Sequence, residues 1–317
     1  MIISVDSGNQ NNKTENFVYP SSLTVSNVEL GMETDVLEYE GKYYTTAGKR
    51  ISYMRDKTSD QRFFILTLFG IAKELEKKAK EGLLSVKESN TYTVTLLNGL
   101  PPKHIKQAEK FKKYFMEKDE VSFKYNHVNY TIKIKNSIIF PQTYAAAMTV
   151  RKQLANEEEL LVVDIGGFTL DYILLNNGKL NMDKCESLEN GIIKLYNTII
   201  DYANSEFNVL LNEQKVDALL NGTSKIRVPG LMEYAQDQAA RFVTDFVDAL
   251  RERGNDLITT PVIFVGGGSL TLKKYIEENP LISNSSFIDN VCANAIGYKI
   301  MYNMLERSKK ASAKKVS

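Results

Sequence analysis

Two stretches of this chain share one local design. Ile2-Ile3-Ser4-Val5-Asp6-Ser7-Gly8 and Leu161-Val162-Val163-Asp164-Ile165-Gly166-Gly167 are each an apolar, β-branched run ending in Asp-x-Gly. Each is followed by a second stretch of strand character, near residues 17–19 and at 169–175. The strand delivers a carboxylate to a sheet edge. The glycine lets the turning backbone approach a ligand closely and present N–H groups to it. A single Asp-x-Gly after a strand says little, but two of them imply halves of common design, divided near residue 160.

The rest of the chain alternates short β-branched runs with helical patterns, as an α/β protein does. Residues 39–45 read as a hairpin turning at Glu40-Gly41. Phe63, Phe64, Leu68, Ile71, Ala72 and Leu75 fall at helical spacing, and Gly82 ends that helix. A strand is expected over 91–97, ending at Asn98-Gly99, then a helix over 105–116. Residues 121–124 and 128–134 pair through Asn126-His127, and a separate strand over 137–140 precedes a helix after Pro141. In the second half Asn176-Asn177-Gly178 is a hairpin turn. Helices are expected over 191–205, 212–220, 231–253 and 270–278, with a strand over 261–265. A last helix over 291–307 leads into a Lys-rich tail, 308–317, that lacks apolar periodicity and reads as disordered.

Composition removes several classes of function. Forty Lys and Arg stand against 39 Asp and Glu, a formal charge of +1, so no bulk attraction to nucleic acid or anionic membrane follows. Two distant cysteines, Cys185 and Cys292, exclude a disulfide framework and a thiolate metal site, and suit a reducing cytoplasm. No apolar run approaches the ~18 residues of a membrane span.

The residues around the repeated motif suit a Mg-nucleotide. Mg²⁺ uses one or two carboxylates together with phosphate oxygens and water, which Asp6 and Asp164 could supply. In the first hairpin Ser7, Asn9, Asn11 and Asn12 are small polar groups, and Lys13 could reach a phosphate as a point charge. The second, Asp164-Ile165-Gly166-Gly167-Phe168-Thr169-Leu170-Asp171, adds a double glycine and a hydroxyl. A third element, Val262-Ile263-Phe264-Val265 running into Gly266-Gly267-Gly268-Ser269, leaves bare backbone on which a base or ribose could lie. It is not Gly-x-Gly-x-x-Gly, and a Walker A loop is absent, which excludes a P-loop enzyme.

These three segments, in this order, resemble the two phosphate loops and the adenosine loop of the actin, sugar-kinase and heat-shock-chaperone ATPases. Within that superfamily the chain is most similar to the ParM (StbA-type) bacterial actins, most closely over residues 162–171. Phe140-Pro141-Gln142-Thr143-Tyr144-Ala145-Ala146 resembles the first segment that connects the lobes. Residues 290–298, with Asn294-Ala295-Ile296-Gly297, resemble the second.

The resemblance implies an α/β fold of two related, ribonuclease-H-like lobes around a nucleotide cleft. The first lobe would be 1–158 with 291–307, and the second 159–290. It implies that Asp6 and Asp164 hold hydrated Mg²⁺, that Gly8 and residues 166–169 meet phosphates, and that Gly266, Gly267 and Gly268 line the nucleoside pocket. Gly191 takes the place of a small residue beside the nucleotide. Many ParM proteins have Glu where this chain has Gln142, so that residue would position water rather than accept its proton. Asp164 is then the better proton acceptor. The implied function is a cytoplasmic ATPase, or GTPase, that forms filaments and segregates plasmid DNA through a DNA-bound adaptor of the ParR type. No strong direct DNA binding and no membrane attachment are expected. A non-segregating scaffold or a small-molecule kinase of the same fold is the alternative; a chaperone would need a further domain for which 317 residues leave no room.

Overall fold

The computed structural model describes residues 1–29, 35–52, 54, 56–84, 90–154 and 157–316. The chain divides into two compact units, residues 1–149 with 292–317, and residues 150–291. The changeovers expected from sequence are at 158/159 and 290/291. The first falls earlier because buried Leu154 sides with the second unit, its carbonyl near Gly178.

The first unit opens with β1 (Ile2–Ser4), β2 (Asp6–Ser7), β3 (Asn11–Lys13), β4 (Val18–Pro20) and β5 (Ser22–Ser26). There follow β6 (Val36–Tyr39), β7 (Lys42–Arg50), helix α1 (Arg62–Lys80) and β8 (Asn90–Leu100). A 3-10 turn, Pro102–Gln107, runs into α2 (Ala108–Phe115), then β9 (Val121–Tyr125), β10 (Val128–Pro141) and α3 (Tyr144–Ala147). Seven strands form one sheet in the order β1-β8-β10-β9-β6-β7-β5, and β2-β3-β4 form a second. The first three strands of the large sheet are parallel.

Helix α1 packs the core of this unit: Phe63, Leu66, Leu68, Phe69 and Ile71 are fully buried. Each such side chain contributes about 1.5–3 kcal/mol relative to exposure. The same helix fastens the β3–β4 hairpin. Buried Glu74 accepts from the Thr14 hydroxyl at 2.6 Å and from the Asn16 side-chain amide at 2.9 Å. The Tyr19 hydroxyl donates to the Leu66 carbonyl at 2.7 Å, in a gap kept open by Gly70.

The second unit comprises α4 (Arg151–Leu154), β11 (Glu159–Ile165), β12 (Leu170–Asn176), β13 (Lys179–Leu188), α5 (Ile192–Phe207), α6 (Glu213–Leu220) and α7 (Leu231–Glu252). It continues with β14 (Val262–Val265), α8 (Gly267–Thr271), α9 (Lys273–Glu277) and β15 (Ser285–Phe287). Its sheet has the order β13-β12-β11-β14-β15, with β11 parallel to β14 and antiparallel to β12. The chain then returns to the first unit as α10 (Ala293–Val316).

Several expectations change. The strand ending at Asn98-Gly99 continues to Leu100, because Gly99 sits under Tyr298 of α10 rather than in a turn. The expected strand 137–140 is the end of one long strand, β10, whose register shifts between Ile134 and Asn136. Proline at the start of 102–107 tightens that segment into a 3-10 turn before α2. The tail is helical, not disordered: α10 runs through 308–316, since Ala311, Ala313 and the lysines are good helix formers with no Gly or Pro after Gly297. Ser317 lies outside the described residues.

Candidate functional site

The first hairpin sets Asp6 at the end of a buried run. Val5 is locked from both sides: its amide donates to the Leu97 carbonyl at 2.8 Å and its carbonyl accepts from the Asn98 side chain at 3.0 Å. Asp6 is therefore delivered at the sheet edge, 4% exposed. Its Oδ1 accepts the Gln142 side-chain amide at 2.6 Å and the Tyr298 hydroxyl at 3.3 Å. Lys13 stands directly opposite Asp6 in the β2–β3 ladder, which puts both side chains on one face. Gly8 is required by space, since a Cβ would collide with the Asn11 carbonyl.

Polar atoms here are left over. Among the described residues Ser7 Oγ, Asn9 Oδ1 and Asn12 Oδ1 are buried with no hydrogen-bond partner. Buried polar atoms without partners are rare, and a ligand or water is their usual explanation. Lys57, from the segment before α1, donates to the Ser7 carbonyl and so brings a cation to the same turn.

Gln142 follows β10 at a strained turn. Thr143 has φ 62° and ψ −54°, and the Tyr144 amide closes a γ-turn on the Gln142 carbonyl at 2.5 Å. A β-branched residue at positive φ costs about 1–3 kcal/mol and persists only where its surroundings enforce it. Asn294, just inside α10, supplies that support by accepting the Thr143 amide at 2.9 Å. Gly297 lets the helix press against Ala145, where a Cβ would overlap the carbonyl. Tyr298 is fully buried and stacked on Phe140, with ring centroids 6.0 Å apart.

In the second unit the hairpin 164–169 lies over the start of α5. The carbonyls of Gly166, Gly167 and Phe168 accept from the amides of Ile192, Ile193 and Gly191, each at 3.0 Å. In a trans peptide the N–H points opposite to the C=O. The amides of Gly167, Phe168 and Thr169 are therefore turned away from α5, and backbone N–H groups on one side of a turn suit an anion. Gly191 is obligatory, since a Cβ would strike Gly167 and Phe168 backbone.

Gly266, at φ 93°, abuts the Asp164 carboxylate so closely that a Cβ would collide with Oδ1, and a Cβ on Gly268 would lie 2.7 Å from Ile165. Asp164 faces Asp171 across the β11–β12 ladder, and Thr169 donates to Asp171 Oδ2 at 3.0 Å.

Most of the expected residues thus gather in two clusters, one per unit. Asp6, Ser7, Gly8, Asn9, Asn11, Lys13 and Gln142 meet in the first. Asp164, Gly166, Gly167, Phe168, Thr169, Asp171, Gly191, Gly266 and Gly268 meet in the second. Two others stand apart: Ser269 is fully buried and its hydroxyl donates to the Val265 carbonyl at 2.5 Å, while Gly267 faces open space. Sequence reasoning missed Tyr298, Asn294 and Lys57. Tyr298 and Asn294 lie inside the connecting segment 290–298, whereas Lys57 has no motif around it. No group of three or more His, Cys, Asp or Glu forms a metal cage among the described residues. In the first unit the Asp6 carboxylate and the unsatisfied oxygens of Ser7, Asn9 and Asn12 are the kind of oxygen donors that suit a hydrated Mg²⁺.

Two family models match the chain. Residues 5–144 match the actin-like proteins N-terminal domain, and residues 162–278 match the C-terminal part of an archaeal actin homologue, MreB-like. The chain belongs to the actin-like proteins. Solved structures agree on the fold. The archaeal actin homolog Ta0583 in complex with ADP superposes with a TM-score of 0.72 at 18% identity, over 96% of this actin-like chain and 99% of the other. A ParM from Clostridium botulinum, solved as a 15-stranded filament, gives 0.70 at 19% identity, over 94% and 97%. An AlfA filament bound to AMPPNP gives 0.61 at 14% identity, over 98% of each. No curated protein matches in sequence. No helix among the described residues is long and apolar enough to cross a membrane.

Proposed function

We propose that this actin-like protein is a ParM-type ATPase whose filaments grow on Mg-nucleotide and weaken on hydrolysis. The observation that carries this reading is the set of three amides, on Gly167, Phe168 and Thr169, turned away from α5 in the turn that follows β11, the strand that carries Asp164. Such a set fits the terminal oxygens of a phosphate chain. The first unit carries its own groups suited to a metal–phosphate ligand: the Asp6 carboxylate, the Ser7 hydroxyl and the Lys13 ammonium. Asp6 and Asp164 would hold a hydrated Mg²⁺, which would supply charge neutralisation at the phosphate oxygens. Open space at Gly267, next to the Gly266 backbone packed on Asp164, leaves room for the nucleoside.

Gln142 orients the attacking water, and Asp164 accepts its proton, giving slow hydrolysis dominated by positioning. That solved relatives include filaments and complexes with ADP and AMPPNP supports both the polymer and the ligand class. We further propose that the filament moves plasmid DNA in the cytoplasm through a DNA-bound adaptor of the ParR type.

The test is sedimentation and light scattering at micromolar protein. Polymer is expected with Mg-ATP or AMPPNP, and none with ATP in excess EDTA. GTP in place of ATP decides base preference. Nucleotide binding without polymer under any salt condition would overturn the filament reading.

A further inference from the structure

The formal charge of +1 conceals two opposed units. The first, residues 1–149 with 292–317, carries 27 Lys and Arg against 18 Asp and Glu, a net of +9. The second, residues 150–291, carries 13 against 21, a net of −8. A surface selected only for solubility intersperses both signs. Segregation on this scale makes one copy complementary to another.

Each unit places part of its excess on a regular exposed row. In the first, Lys103, Lys106, Lys110 and Lys113 follow one another at intervals of three, four and three residues, and all are exposed. That spacing places them on one side of the 3-10 turn and α2, while Phe111 and Phe115 are buried on the other. Residues 102–118 hold six lysines against Glu109 and Glu117. Asp56 pairs with Lys110 at 2.6 Å and neutralises one position of the row.

In the second unit the exposed side of α7 carries Glu233, Asp237, Asp245, Asp248 and Glu252. Arg241 stands within this row, paired with Asp237 at 2.9 Å, and Arg251 lies at its margin. The lysine row spans about 17 Å and the acidic row from Glu233 to Glu252 about 28 Å, by helical rise, so the acidic row is long enough to receive the lysines.

We propose that the lysine row of one copy docks on the acidic row of α7 in a second copy. This rests on the filament reading above and names one of its contacts. The two faces differ, so the contact is heterologous and repeats from copy to copy rather than closing about a two-fold axis. Exposed charges of this kind govern encounter, orientation and salt sensitivity more than raw affinity. The contact therefore selects which face meets which.

Charge reversal tests it with nucleotide held at saturation. One variant carries Lys106→Glu, Lys110→Glu and Lys113→Glu; the other carries Asp245→Lys, Asp248→Lys and Glu252→Lys. Each alone should raise the critical concentration at least about tenfold at low salt, the factor that corresponds to about 1.4 kcal/mol. An equimolar mixture should recover, because each reversed face then meets its opposite on the other variant. The chain carrying both sets should also assemble alone. Melting curves and nucleotide affinity of each variant should match the parent.

Three results would overturn the proposal: single-face variants that assemble like the parent, a mixture that fails to recover, or parental assembly indifferent to salt between 50 and 300 mM, on the order of the range over which surface charges are screened. Loss of heparin or duplex DNA binding by the lysine variant with normal assembly would instead make the row a polyanion surface. A parent that binds nucleotide but never assembles would fail the filament reading itself.

Discussion

Gln142 donates its side-chain amide to Asp6 at 2.6 Å. The residue expected to place water and the residue expected to hold the metal are therefore one hydrogen-bonded pair. Removing Gln142 takes a donor from a carboxylate that is 4% exposed and leaves it the Tyr298 hydroxyl at 3.3 Å. Grip and chemistry are coupled here, and the separation suggested by sequence is incomplete.

Gln142→Ala should slow phosphate release about 10–100-fold, the order expected from losing one positioning contact. It should also weaken Mg-nucleotide binding by a few-fold, in the range of one charge-assisted hydrogen bond, ~1.5 kcal/mol at most after water replaces the donor. Phosphate release and nucleotide titration, measured side by side, check both parts. A normal release rate would remove Gln142 from the chemistry.

Gln142→Glu puts a second carboxylate against Asp6. Beside a negative charge at this distance the introduced carboxyl has its pKa raised in the folded state. A raised folded pKa means the variant is most stable when the pair shares a proton, and loses stability as pH rises through that value. Thermal melts without metal should show the variant falling below the parent between pH 5 and pH 8 by about 1–2 kcal/mol, since a tenfold change in a protonation equilibrium corresponds to ~1.4 kcal/mol. Added Mg²⁺ should narrow the gap. A pH-independent difference would show that the two carboxyl groups move apart.

Gly191→Ala and Gly297→Ala separate ligand grip from scaffold. The first forces a methyl into the backbone of the 166–169 turn and should disturb its amides, weakening nucleotide at least about tenfold, with a stability cost of ~1–3 kcal/mol. The second forces a methyl into the Ala145 carbonyl and should lower the melting temperature more than it lowers affinity in the protein that remains folded. Equal effects on affinity would indicate that the 166–169 turn relaxes around the methyl.

Tyr298→Phe removes only the hydroxyl directed at Asp6 and preserves the stack on Phe140. It should cost about 0.5–1.5 kcal/mol of stability, the net value of one hydrogen bond. Because the hydroxyl steadies the carboxylate proposed to hold the metal, Mg²⁺ dependence of nucleotide binding should shift to higher metal concentration. An unchanged Mg²⁺ requirement would reduce Tyr298 to packing.

Deleting residues 308–317 should leave the melting temperature within error, since the described side chains 308–313 are exposed. Surface changes of this kind fall within about ±0.5 kcal/mol. Far-ultraviolet circular dichroism should nevertheless lose about two turns of helix, because 308–316 continues α10. A drop of several degrees would mean that this stretch packs.

What the sequence by itself determined was everything written in neighbouring residues. An apolar run ending in Asp-x-Gly specifies a strand, a carboxylate and a turn, and it does so twice; the glycine triplet specifies a stretch without side chains. Local chemistry suffices, because backbone conformation and side-chain size set these features within a few residues. The tail is helical despite its lack of apolar periodicity, because helix propensity and an already nucleated helix decide its conformation. Only the tertiary structure decided which distant groups meet those motifs. Gln142 and Tyr298 lie 136 and 292 residues from Asp6, and strand register and the seating of Gly297 on Ala145 bring them there. The division into units likewise turned a near-neutral total into +9 and −8. Net charge is a sum over the chain, and a sum carries no position; folding assigns each charge its place.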